Sequence, residues 1–111
     1  MQAEHDMAER YVCVEQGTSE GQCDLPDSTA DLVIGVIQET AVAGQAVSVQ
    51  IDGVAQIVCG GAIALGVPVY LQATDGRIDD ADTGTRVGMS LSATSAAGEI
   101  CVVDLSSKGG A

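Results

Sequence analysis

Residues 46–61, AVSVQIDGVAQIVCGG, decide how this chain folds. Asp52-Gly53 is a dipeptide that commonly closes a two-residue hairpin, so the stretch can be read as two short strands folded back on each other. In that arrangement Val49 faces Gln56 and Ser48 faces Ile57, and both faces carry a mixture of apolar and polar side chains. Read instead as one strand of period two, Val47, Val49, Ile51, Gly53, Ala55, Ile57 and Cys59 share one face. Ser48, Gln50, Asp52 and Gln56 then take the other. Sorting of side chains bears directly on burial, whereas the dipeptide bears only on turn propensity, so a single bent strand is preferred. Gly53, which has no side chain, supplies the structural bend where the strand passes from one sheet to another.

Working outward, the strand belongs to an internal repeat. IGVIQETAVAGQAVSVQI, from Ile34, aligns with VGMSLSATSAAGEICVVDL, from Val87, with Gly35 matching Gly88, Gly44 matching Gly98 and one extra residue in the second copy. Val47, Val49 and Ile51 then correspond to Cys101, Val103 and Leu105 as inward positions. Two copies are too few for a solenoid and imply two similar β units around one core. Between them lies GGAIALGVPVYLQATDGRID, in which Gly66 and Pro68 open a strand and Asp75-Gly76 turns VYLQA back onto RID. No segment has a useful helical period. The fold class is all-β: a small β-sandwich or partly open β-barrel with an internal repeat and an extended N-terminal arm. Residues 1–10 are assigned to that arm, without fixed structure of its own, 11–105 to a single β domain, and 106–111 to a flexible tail.

Composition restricts function. The 111 residues hold 16 acidic and 4 basic side chains, a formal net charge of -12 that repels phosphate backbones and anionic lipid, so neither nucleic acid nor a membrane is expected as a partner. With no Trp, no Phe and 2 Tyr, the core must be built from Val, Ile, Leu, Ala and Met. Cys13, Cys23, Cys59 and Cys101 include no CxxC pair and read as buried thiols, with a single disulfide as the alternative outside a cell.

Catalytic chemistry finds little support. His5, the one histidine, lies in the arm, and Ser90, Ser92 and Ser95 therefore have no base to activate them. CGGAIALG lacks the Lys-Ser/Thr of a phosphate loop, and the sole lysine, Lys108, sits in the tail rather than at the hairpin tip a carrier domain requires. Asp75, Asp79, Asp80 and Asp82 do not follow the spacing of an EF-hand loop. No cofactor and no enzymatic activity are expected. The last strand is apolar on both faces, since Ile100 and Val102 stand where the first copy has Ala46 and Ser48. Such a strand is covered on both faces, by a loop, by the arm, or by another subunit.

The strand GQAVSVQIDGVA, the step GGAIALGVPVY, the DG hairpin and the closing VGMSLSATSAAGEICVV, in this order over residues 32–105, resemble the capsid cement or head decoration proteins of tailed bacteriophages. MQAEHDMAERYVCVEQG and the loop around Cys23 depart from that pattern. The resemblance implies a structural protein made in the host cytoplasm that sits on the outer capsid surface of the virion. There it would bridge major capsid protein subunits, clustering as a homo-oligomer, a trimer, at three-fold positions. The candidate capsid contacts are Met1, Gln2, Ala3, Glu4, His5, Asp6, Met7, Arg10, Tyr11 and Val12, by ordering and strand addition. Ile100 and Val102 are the candidate subunit interface. The alternative is a soluble ligand-binding β module that takes Ca2+ or a sugar through the Asp75 to Asp82 loop, although only Tyr11 and Tyr70 could serve as an aromatic platform.

Overall fold

The computed structural model describes residues 1–28, 32–82 and 84–105, so the expected tail at 106–111 lies outside the described residues. Among the described residues ten short strands occur in chain order: β1 (Gln2–Ala3), β2 (Cys13–Gln16), β3 (Gln22–Asp24), β4 (Gly35–Ile37), β5 (Val49–Gln50), β6 (Val54–Val58), β7 (Pro68–Leu71), β8 (Ile78–Asp79), β9 (Arg86–Ser90) and β10 (Ile100–Asp104). They form two five-stranded sheets, ordered β1-β3-β2-β4-β5 and β6-β10-β9-β7-β8. A bridge from Gln2 to Ala46 brings β1 round beside the approach to β5, and one from Cys59 to Ile78 brings the end of β6 beside β8. Each sheet therefore curls until its outer strands meet. The all-β expectation holds, in the form of two small curled sheets packed together.

The bent strand at Gly53 also holds. β5 pairs with β4 and β6 with β10, in different sheets, so 49–58 is a crossing rather than a hairpin. Gly53 makes the bend at φ +81°, a left-handed conformation in which a Cβ is strained. The expected faces hold only in part. Ala55, Ile57 and Cys59 are buried, but Ile51 is 59% exposed and Val58, on the opposite face, is buried.

The repeat extends through nearly the whole chain. Cys13 and Val14 of β2 face Val36 and Gly35 of β4, as Pro68 and Val69 of β7 face Met89 and Gly88 of β9. Glu15 and Gln16 face Asp24 and Cys23, as Tyr70 and Leu71 face Asp79 and Ile78. Val36 and Ile37 face Gln50 and Val49, as Met89 and Ser90 face Asp104 and Val103. Ala3 runs parallel to Cys23 as Cys59 does to Ile78, and the bridge Met7–Ala41 recurs as Ile63–Thr94. Left-handed residues recur too: Tyr11 with Gly66, Gly21 with Gly76, Gly44 with Gly98. A Cβ at Gly35 would lie 2.8 Å from Val49 Cγ1 and against Gln50 O; one at Gly88 would lie 2.8 Å from Val103 Cγ1 and against Asp104 O. Both glycines are there because the next strand passes too close for a side chain. The shared turn AG(Q/E) has a shared cap, Gln45 Oε1 accepting from Val42 N at 3.1 Å and Glu99 Oε1 from Ser95 N at 2.9 Å. Acceptance from the backbone and hydroxyl of Ser95 keeps the Glu99 carboxyl below the usual range.

The duplication corrects the reading of residues 1–10 as an arm without structure. Ala3 and Met7 are fully buried beside Val12, Val14, Cys23 and Ile37. Their amides are taken by Gln45 O at 2.9 Å and Ala41 O at 2.8 Å. The segment packs as the first part of the first half, with β1 at Gln2–Ala3 and a bridge at Met7, and sequence periodicity misses it because Ala3 and Met7 are its buried apolar side chains.

The halves share walls. Cys13, Val33 and Val36 pack in the core of the second half, and Val58 packs in that of the first. Backbone bonds Cys13 N to Gly76 O, 2.8 Å, and Val58 N to Tyr11 O, 2.7 Å, join them. All four cysteines are free and buried. Burial alone pushes the Cys13 thiol up to about 12, so it is an inert packing group.

Candidate functional site: a groove between the two halves

Where the halves meet, Ala8, Glu9, Arg10, Tyr11, Glu39, Thr40, Val58 and Ile100 line a groove of about 540 Å³. Tyr11 is placed there by the same backbone geometry that Gly66 adopts in the second half, at φ 61° against 76°. A non-glycine residue in this region carries strain of roughly 1–3 kcal/mol. Neighbouring bonds hold it there, Tyr11 N donating to Ile37 O at 2.8 Å and Tyr11 O accepting from Val58 N. Arg10 stacks over the ring, 4.9 Å from its centroid. At the rim, Arg77 of the second half holds Glu9 with two bonds, 3.1 and 2.9 Å. The hydrogen bond from Arg77 holds the Glu9 carboxyl below its ordinary range, and Glu9 raises Arg77 in turn.

Chemically the groove offers carboxylates, one stacked guanidinium and an apolar floor, which suits contact with a protein surface better than bond-making. It brings together two sets that the sequence kept apart, Arg10 and Tyr11 from the capsid-contact set and Ile100 from the subunit-interface set. Ile100 is exposed and Val102 half-buried. The other contact candidates divide by burial. Ala3, Met7 and Val12 are core residues and cannot present side chains to a partner, which corrects their assignment. Met1, Gln2, His5, Asp6 and Arg10 are exposed, and Glu4 and Tyr11 are partly so.

Beside this segment Glu4, His5 and Asp24 offer ligand atoms within 4.8 Å of one another. His5 Nδ1 lies 2.9 Å from Asp24 Oδ2, and the Asp24 hydrogen bond and charge raise the imidazole above its ordinary 6.5. A raised folded-state value means that the protonated ring stabilises the fold below pH 6.5 and that this contribution is lost as pH rises through the raised value. The ring is 66% exposed, so the effect is modest. Melting curves of the parent and His5→Gln should coincide at high pH and separate, with the parent higher, below pH 6.5; coincidence throughout would show that the pair adds nothing.

In the acidic loop, the carboxylates cap backbone. Asp75 Oδ1 accepts from Arg77 N at 3.0 Å, Asp79 Oδ1 from Ala81 N at 3.1 Å and Asp80 Oδ2 from Ala64 N at 3.3 Å. The expected hairpin is present, with Gly76 at φ +83° between β7 and β8.

The fold is thus a duplicated all-β unit of net charge -12 with a groove between its halves. The phage cement protein family matches residues 7–105, and the chain belongs to that family. The match covers most of the N-terminal third that departed from the resemblance at 32–105. Among solved structures, the head fiber gp8.5 N base of bacteriophage phi29 is similar, at a TM-score of 0.73 and 13% identity over 96% of this chain and 91% of that one. That likeness establishes the fold. No curated protein matches significantly. The protein is therefore a capsid-surface structural component of a phage virion.

Proposed function

We propose that the protein is a non-enzymatic cement that binds the outer surface of an assembled phage head and stabilises the lattice of major capsid protein subunits. Membership of the phage cement family over residues 7–105 carries this reading. A protein that binds the assembled lattice and not its separated subunits stabilises the shell by mass action. Copies that each bridge neighbouring subunits add their effects over the whole surface. The exposed residues Met1, Gln2, His5, Asp6 and Arg10, with Tyr11, form the proposed capsid contact. Ile100 and Val102 form the proposed face between copies in a trimer.

Cosedimentation with intact, undecorated phage heads tests the reading. Saturable binding is expected, together with heads that withstand a higher temperature before releasing DNA. Binding that leaves the release temperature unchanged would remove the cementing role, and absence of binding would remove the capsid role. Surface substitutions, Arg10→Ala and Tyr11→Ala, are the appropriate probes of the contact. Deletion of residues 1–10 would strip Ala3 and Met7 from the core and abolish the fold instead.

A further inference from the structure

The one histidine, which the sequence places in an arm with nothing to hold it, stands between two carboxylates. The chain bends at Glu4 and His5, directly after β1, so that side chains adjacent in sequence come to the same side. Asp24, the last residue of β3, meets them across the parallel pairing of β1 with β3, where Glu4 N donates to Cys23 O at 2.9 Å. Each carboxylate has one oxygen tied to backbone and one turned toward the imidazole. Glu4 Oε1 accepts from Thr18 N at 2.6 Å, and its Oε2 lies 3.7 Å from His5 Nδ1. Asp24 Oδ1 accepts from Leu25 N at 2.9 Å, and its Oδ2 lies 2.9 Å from the same nitrogen. The two acidic side chains are only 16% and 17% exposed, so surrounding backbone orients the oxygens that face His5.

Comparison of the halves shows that the fold does not require these groups. Glu4, His5 and Asp24 correspond to Gly60, Gly61 and Asp79, and Gly17 corresponds to Gln72. One side chain fills the space between these strands, and the halves supply it from opposite sides. In the second half Gln72 reaches over Gly60, its Nε2 donating to Gly60 O at 3.0 Å. In the first, Glu4 reaches over Gly17, where a Cβ would stand 2.7 Å from Glu4 Oε1. A neutral amide beside two glycines is thus enough for packing. The first half instead places a carboxylate there and adds an imidazole, with an aspartate beside both.

We infer that Glu4 Oε2, His5 Nδ1 and Asp24 Oδ2 bind one divalent transition cation, Zn2+ by the chemistry of the donors, which staples the N-terminal segment to the end of β3. A tetrahedral zinc ion with bonds of about 2.0–2.2 Å sets its ligand atoms about 3.3 Å apart. The three atoms, all within 4.8 Å of one another, close onto such an ion by small movements of the His5 ring, which is 66% exposed. The ion takes the place of the proton between His5 Nδ1 and Asp24 Oδ2, which leaves to solvent. Two carboxylates then balance its charge, and a chain of net charge -12 attracts it. The imidazole selects Zn2+ over Ca2+ and Mg2+, which take oxygen donors in larger number. Three protein ligands leave the fourth position to water. The site stands independently of the capsid role.

Titration of the full chain, prepared without a polyhistidine tag, with Zn2+ and with Co2+ tests this. One ion per chain is expected, with Co2+ giving tetrahedral ligand-field absorption and no thiolate charge-transfer band. At a free Zn2+ concentration tenfold above Kd, Tm should rise by about 5 °C, with no comparable rise in Ca2+ or Mg2+. Glu4→Gln keeps an acceptor for Thr18 N and copies the amide of the second half, and His5→Ala removes an exposed ring. Both variants should remain folded without metal and bind Zn2+ at least tenfold more weakly than the parent. Binding left unchanged in both would overturn the site. So would a thiolate band, which would assign the ion to cysteine, an equal response to Ca2+, or the absence of saturable binding at millimolar Zn2+.

Discussion

Alanine at Gly76 should cost the fold about 2–5 kcal/mol, and alanine at Gly21 only about 1–2 kcal/mol, although the two are counterparts in the duplication. Both adopt the left-handed region, at φ +83° and +78°, so both pay the steric cost of a Cβ there. Gly21 then meets nothing within 4 Å. Gly76 lies against the other half, where a Cβ would stand 2.5 Å from Cys13 O, 2.9 Å from Cys13 N and 2.9 Å from Val12 Cβ. Relief of that overlap must part the halves and break the bond from Cys13 N to Gly76 O, leaving a donor stranded at a fully buried residue. At about 4 °C of Tm per kcal/mol for a domain of this size, thermal melting should fall by roughly 10 °C or more for Gly76→Ala and by about 5 °C for Gly21→Ala. Equal shifts would mean that the junction between the halves contributes little to stability.

Leu105→Ala and Ile51→Ala form the second contrast. Truncation of the fully buried Leu105 opens a cavity in the core of the second half, among Val87, Cys101 and Val103, and should cost about 2–5 kcal/mol. The same truncation at Ile51, its exposed counterpart, should stay within about 0.5 kcal/mol. Denaturant unfolding reads both, with unchanged slope if the effect lies in the folded state. A large loss at Ile51 would show that its side chain contributes to stability despite its exposure.

Legibility in the sequence followed what each signal measures. The bend at Gly53 could be read because inward and outward side chains sort themselves over a dozen residues, and the DG turn at Gly76 because it combines a left-handed glycine with flanking strands. The repeat could be read at 34–51 and 87–105, where Gly35 and Gly88 both admit a close strand and leave a residue-specific mark. It could not be read at 2–24 and 58–79. There the equivalence lies in backbone register and conformation, while the residues at equivalent positions are chemically unlike, Cys13 for Pro68 and Tyr11 for Gly66. The groove was out of reach for a related reason, since Tyr11 and Ile100 meet only when the halves dock.

By itself, then, the sequence determined an all-β chain, acidic on its surface, bent at Gly53 and repeated around two close-packed glycines, because those properties reside in local alternation, side-chain volume and charge. The tertiary structure alone decided that residues 1–10 pack into the first half, with a strand at Gln2–Ala3, rather than form an arm, and that Ile51 is exposed where Leu105 is buried. Those outcomes depend on which strand lies beside which, and a neighbour in space leaves no trace in the period of either partner.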